Sequence, residues 1–244
     1  MSDPVRLVVF DLDGTIVDSL AHISRAVVET AKLIGIPAPL PSAVPRVIGL
    51  SLDEAIARLF PDHDAEVHAE VDRVYRKIFA AWRAEPGQHE PLFDGTHAAL
   101  EALDARGILL GIATGKHRRG VDFILDKHGL TDRFVTIQTP DTAPGKPHPG
   151  MLPQAMSETG AAPERTVMVG DTIYDIAMAR AAGTHAVGVS WGNHAADELH
   201  GAGAHRMIDR LAHLTPAVDE LLSAPAIPVP AIPVPPIPVM ENSR

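Results

Sequence analysis

The chain has 244 residues, 45% of them apolar, enough to bury a sizeable core as one large domain or as a core with a smaller insert. Its net charge of −10 argues against nucleic-acid binding, and the lack of cysteine excludes disulfides and thiol catalysis. No apolar run approaches the ~20 residues that span a bilayer and no signal-peptide pattern opens the chain, so a cytoplasmic enzyme without membrane contact is expected.

Residues 5–10 read as a buried strand that runs into Asp11-Leu12-Asp13-Gly14-Thr15. Leu20, Ile23, Val27, Ala31 and Ile34 then recur at helical spacing, with Asp18 or Ser19 as the expected N-cap and the proline-rich stretch 37–45 as the helix breaker. Two further helical stretches follow, one carrying Leu52, Ile56, Leu59 and Phe60, the other Val67, Val71, Val74, Tyr75, Ile78 and Trp82. No strand pattern interrupts 17–84, which therefore reads as a helical insert, and Glu85-Pro86-Gly87 marks the return from it.

Beyond residue 92 the rhythm changes. Helical patterns over 95–106, 118–128, 149–160 and 173–182 alternate with the strand-like runs 108–113, 134–137, 166–169 and 186–189. Residues 206–208 suggest an edge strand and 215–222 a last helix. Such alternation implies a parallel sheet with helices on both faces. The expected division is an α/β core over 1–16 and 88–224, a helical cap over 17–87 and a proline-rich tail over 225–244. The tail reads as stiff polyproline II; a proline-binding partner is the alternative, weakened by the scarcity of flanking basic residues.

Chemistry-bearing residues gather where the strand runs end, which is where open α/β sheets place ligands. Asp11 comes first after its strand, suited to act as a covalent nucleophile, and Asp13 follows two residues later as a general acid and base. Gly14 permits the turn and Thr15 braces it, although the motif also reads as an acidic turn with capping duty. Thr114 and Gly115 offer a hydroxyl and backbone N–H groups at an expected helix N-terminus, a small anion cradle. Lys146, before a proline, can offset phosphoryl charge. Asp171 and Asp175 leave the next strand one helical turn apart, and carboxylates bunched in one crevice call for a hard cation such as Mg²⁺.

These four motifs, in this order and spread over about residues 5–210, closely resemble the haloacid dehalogenase superfamily, in its phosphatase branch with a helical cap after the first motif. The resemblance implies a doubly wound parallel, Rossmann-like sheet and a Mg²⁺-dependent phosphomonoesterase working through an aspartyl-phosphate. It implies Asp11 as nucleophile, Asp13 as acid/base with its carbonyl on the metal, and Thr114, Gly115 and Lys146 on the phosphoryl group. Asp171 would ligate the metal, with Asp175 supporting it directly or through water. Asp13 itself argues against dehalogenation, because the dehalogenases proper lack the second aspartate.

Within the branch, Phe93-Asp94-Gly95, Gly145-Lys146-Pro147-His148-Pro149 and Ala181-Ala182-Gly183 look most like phosphoglycolate phosphatases, making 2-phosphoglycolate the best single substrate guess. A β-phosphoglucomutase-type phosphotransferase, a pyrophosphatase and a non-catalytic protein acting through its tail are the rivals. Arg46 and Gly49-Leu50-Ser51 are placed near the crevice, with an ordinary surface role favoured for Arg46. Trp191-Gly192-Asn193-His194 reads as packing plus a glycine turn, the Val71-to-Trp82 stripe as cap core, and the 13 histidines as solvated.

Overall fold

The run Leu7-Val8-Val9-Phe10 forms β1 (Leu7–Phe10), every side chain fully buried, in a computed structural model that describes residues 3–83, 85 and 90–223. The proline-rich tail and the expected turn at Pro86-Gly87 lie outside the described residues.

β1 is joined in one six-stranded sheet by β2 (Leu109–Ala113), β3 (Thr136–Gln138), β4 (Thr166–Gly170), β5 (His185–Val189) and β6 (Arg206–Ile208). All neighbours pair parallel, in the order β3-β2-β1-β4-β5-β6. The architecture is thus the α/β, Rossmann-like sheet expected. The chain first winds outward from β1 to β3, then crosses back to β4 and winds the other way. β1 and β4 therefore flank the topological switch point, where the carboxyl ends of the strands open a crevice. Phe10 is in register with Ile112 on one side and Val169 on the other, so the residues just beyond all three strands meet at one level.

The apolar strands are uninterrupted because both faces are covered. With side chains alternating along β1, Val8 and Phe10 pack under α4 (Thr96–Asp104), α5 (Arg118–Lys127) and α9 (Leu214–Ser223). Leu7 and Val9 face α6 (Met151–Thr159), α7 (Ile173–Ala181) and α8 (Ala196–Gly201). Full burial of a side chain such as Phe10 stabilises the fold by about 1.5–3 kcal/mol.

Between β1 and α4 the chain forms α1 (Leu20–Ile34), α2 (Leu52–Leu59) and α3 (Ala65–Arg83), whose packing forms two apolar clusters apart from those of the sheet. Val71, Val74, Ile78 and Trp82 are buried in them, as the helical stripe predicts. The guanidinium of Arg25 lies 4.5 Å over the Trp82 ring.

Several expectations need correction. Ser19 occupies the N-cap position of α1 but makes no capping bond; its hydroxyl is buried without a partner. Leu20, assigned to the apolar face, is 36% exposed. The helix is ended by Gly35 in the left-handed conformation, φ 76°, before the prolines begin. β3 starts two residues late, because Phe134 turns inward edge-on to Phe10 while Val135 faces solvent. The one-and-a-half-turn α8 is too short to leave a periodic signature. His185, the first residue of β5, and His194, in the loop after β5, are buried rather than solvated.

Candidate active site

The backbone of Asp11 continues the sheet by one bond, its N–H donating to Val169 O at 2.9 Å, so its side chain starts at the mouth of the switch point. The carboxylates of Asp11, Asp171 and Asp175 converge there, each wholly buried, with oxygens within 4.8 Å of one another. Lys146, brought in by the loop after β3 through a cis peptide bond to Pro147, is also wholly buried. Its ammonium sits 2.9 Å from Asp11 Oδ1 and 2.6 Å from Asp175 Oδ1. Three carboxylates against one ammonium leave a buried excess of negative charge.

The pKa values follow first from burial and then from the neighbouring charges. Burial, opposed by Lys146 and reinforced by Asp175 and Asp171, pushes Asp11 up to about 8. Asp171 is raised to about 6, again first by burial and then by Asp175. Burial works against the charge of Lys146, but Asp11 and Asp175 hold it above the ordinary lysine value.

Asp175 is positioned by a capping box at the start of α7: its Oδ2 accepts from Thr172 N at 3.0 Å and Thr172 Oγ1 at 2.7 Å. Asp171 is held by two other loops. Thr15 donates to its Oδ1 at 2.8 Å, and Asn193 donates to its Oδ2 through the backbone N–H at 2.8 Å and the side-chain amide at 2.7 Å. Thr15 therefore reaches across the crevice instead of bracing its own turn. Asn193 was missed as a site residue: the Trp191–His194 loop packs Trp191 against Phe93 but also clamps Asp171. The available signal was position, since this loop leaves the carboxyl end of β5 at the same crevice. Asp11 Oδ2, in contrast, is buried without a hydrogen-bond partner.

Asp13 stands apart from the carboxylate trio: its Oδ1 lies 3.1 Å from Lys116 Nζ, which also approaches Glu90 at 3.6 Å. Thr114 is buried beside β1, but α5 begins only at Arg118, so the Thr114–Gly115 pair lies in a loop and not at a helix N-terminus. The Thr114 N–H is taken by Gln138 O, and the Thr114 hydroxyl accepts from Lys116 N at 3.3 Å. Gly115 admits no side chain, as an added Cβ would lie 2.2 Å from Leu50 O. The loop Gly49-Leu50 thus reaches the crevice as expected. Arg46 is committed elsewhere, pairing with Glu198 at 2.8 Å, while its carbonyl accepts from the Tyr174 hydroxyl.

A cavity of ≈ 290 Å³ opens between α1–α3 and the core beside Asp13, Gly115 and Lys116.

Comparison with known proteins agrees with this geometry. A family model described as haloacid dehalogenase-like hydrolase matches residues 8–189, and the chain belongs to that family. It is thus an enzyme of the hydrolase class. Among its relatives, the Dickeya dadantii protein named "Probable phosphatase IndB" is 35% identical over 91% of this chain and 97% of its own. The phosphoglycolate phosphatase of Agrobacterium fabrum is 32% identical, covering 88% of this chain and 93% of its own. A solved hydrolase from Pseudomonas syringae superposes with a TM-score of 0.78 at 26% identity, over 88% of this chain and 98% of that one.

Proposed function

We propose that the protein is a Mg²⁺-dependent phosphatase of small organophosphate monoesters that works through an aspartyl-phosphate on Asp11. The observation that carries this reading is the buried cluster of Asp11, Asp171, Asp175 and Lys146 at the switch point. The names of the relatives make 2-phosphoglycolate the reference substrate. We take 17–87 as a cap over a core of 1–16 and 88–224, and the cytoplasm as the compartment.

The donor set fits a hard divalent cation, because the carboxylates outnumber the single ammonium and Asp11 Oδ2 lacks a partner. Asp11, Asp171, the carbonyl of Asp13 and, directly or through water, Asp175 would hold it. When bound, the ion supplies Lewis-acid neutralisation of phosphoryl charge.

The chain's own groups divide the remaining work. The Asp11 carboxylate attacks phosphorus, and the bond from phosphorus to the ester oxygen breaks. Asp13 gives its proton to the departing oxygen, then takes one from the water that cleaves the acyl phosphate and restores Asp11. Lys146 offsets charge on the phosphoryl oxygens and helps to keep Asp11 ionised against its burial. The Thr114 hydroxyl and Gly115 N–H orient the phosphoryl group.

The test is phosphate release from 2-phosphoglycolate, pyrophosphate and β-glucose 1-phosphate, with and without Mg²⁺, for the wild type and Asp11→Asn. Release from a monoester, dependent on Mg²⁺ and lowered on the order of 10³-fold in Asp11→Asn, is expected. Isomerised sugar phosphate without release, or turnover of pyrophosphate alone, would overturn the reading.

A further inference from the structure

The cavity beside Asp13 has a composition that the phosphoryl chemistry does not require. Of the four site aspartates, Asp13 is the one on its wall, so an ester oxygen protonated by Asp13 points its carbon body into this space. The body of the wall comes from the helices α1–α3 and is apolar: Val27, Ile56 and Val71 are buried there, and Tyr75 and Phe79 present rings with centroids 4.9 Å apart. The charged side chains that α3 and α5 bring to it, Arg76 and Arg119, are exposed and so lie at its solvent edge, Arg76 engaged by Asp72 at 2.7 and 2.8 Å. Lys116 is turned to Asp13 and Glu90.

A buried polar group sits in the apolar wall. Thr30, wholly buried on α1, has a hydroxyl with no hydrogen-bond partner. Leaving such a group unpaired is costly, and an occupant carrying one polar atom relieves the cost.

Size points the same way. A dry apolar cavity of about 150 Å³ accepts benzene, and this one, at ≈ 290 Å³, is nearly twice as large. The carboxylate of a glycolate leaving group would be desolvated against aliphatic and aromatic carbon there.

We propose that this cavity selects, within the phosphomonoester class, esters whose leaving alcohol is apolar and ring-sized, in preference to phosphoglycolate. The inference rests on the phosphatase reading above and names the substrate class of the same site.

The experiment compares kcat/KM for benzyl phosphate, ethyl phosphate and 2-phosphoglycolate in the presence of Mg²⁺. Benzyl and ethyl phosphate expose the same kind of primary ester oxygen, so a difference between them reports the cavity. Benzyl phosphate should exceed both others by about tenfold or more, the discrimination that a hydrophobic pocket achieves for small apolar increments. Ala80→Phe, at an exposed position of α3 that lines the cavity, should fill it and erase most of that preference without burdening the cap's own core. Equal efficiencies, or a preference for 2-phosphoglycolate, would overturn the proposal and leave the phosphatase reading intact. Should no ester be hydrolysed, the phosphatase reading falls, and calorimetric titration judges the cavity alone. Tighter binding of benzylphosphonate than of ethylphosphonate supports it, and equal binding overturns it.

Discussion

Asp171 shows how a single residue depends on neighbours remote in sequence. Its two oxygens are oriented by Thr15 and Asn193, which leave different strands. Removing the amide in Asn193→Ala should leave the carboxylate in place but poorly aimed. Groups of this kind typically contribute 10–100-fold to metal affinity or activity. Titrating phosphate release with Mg²⁺ should therefore show a higher Mg²⁺ requirement and a turnover lowered within about that range. Unchanged Mg²⁺ dependence would mean that Thr15 and the backbone N–H of position 193 suffice. Asp11 and Asp171 were legible as chemistry because each follows an apolar strand run directly, with Asp13 and Asp175 close behind, whereas Lys146 was read from its place before a proline in the loop after β3. Asn193 was not, since an amide after a tryptophan and a glycine carries no local mark.

Between elements, close approach decides tolerance. The Gly49-Leu50 backbone lies against Gly115, so Gly115→Ala must push that loop outward. Because the neighbour is a carbonyl and not a flexible side-chain tip, we expect a loss of catalytic efficiency of about tenfold or more, through displaced substrate-positioning groups. Steady-state kinetics check this, and wild-type values in the variant would mean that the Gly49-Leu50 loop does not position the substrate.

The far end of the sheet supplies a pH effect. His205, before β6, is pushed down to about 4, first by burial and then by Arg180, His185 and Arg206. In the unfolded chain a histidine titrates near 6.5. Between these values the unfolded state binds the proton that the native state refuses. The stabilising contribution is therefore complete above about pH 6.5 and is lost as pH falls towards 4. Urea midpoints measured from pH 7.5 to 4.5 should fall relative to those of His205→Gln, a comparison that cancels the opposite effect of Asp11 and Asp171, whose raised values of about 8 and about 6 favour the native state as pH falls. The long elements here were readable from periodicity, whereas α8 was not, being shorter than the patterns that reveal helices, and the short β3 was read two residues too early.

For the molecule as a whole, the proposed metal would bind only the folded chain, because the buried carboxylates of Asp11, Asp171 and Asp175 come together only there. A ligand that binds only the native state at 100 times its Kd stabilises by about 2.7 kcal/mol. Mg²⁺ should accordingly raise the thermal midpoint, EDTA should reverse the rise, and Asp171→Asn should shrink it. A midpoint indifferent to Mg²⁺ in the wild type would remove the metal from the site. Among the described residues no helix is long and apolar enough to cross a membrane.

The sequence by itself determined the alternation of strands and helices, the continuous burial of β1 and the positions of the acidic and basic side chains. Each of these is a local property of composition and period. Only the tertiary structure decided which groups share a proton environment and which do not. Asp13 turns from the carboxylate trio to Lys116, Arg46 is bound to Glu198, and the hydroxyl of Thr30 lies on an apolar wall. Such outcomes depend on distances between segments far apart in the chain, set by the sheet order and by how α1–α3 pack against the sheet. Local pattern cannot encode those distances, because they arise from the packing of whole layers.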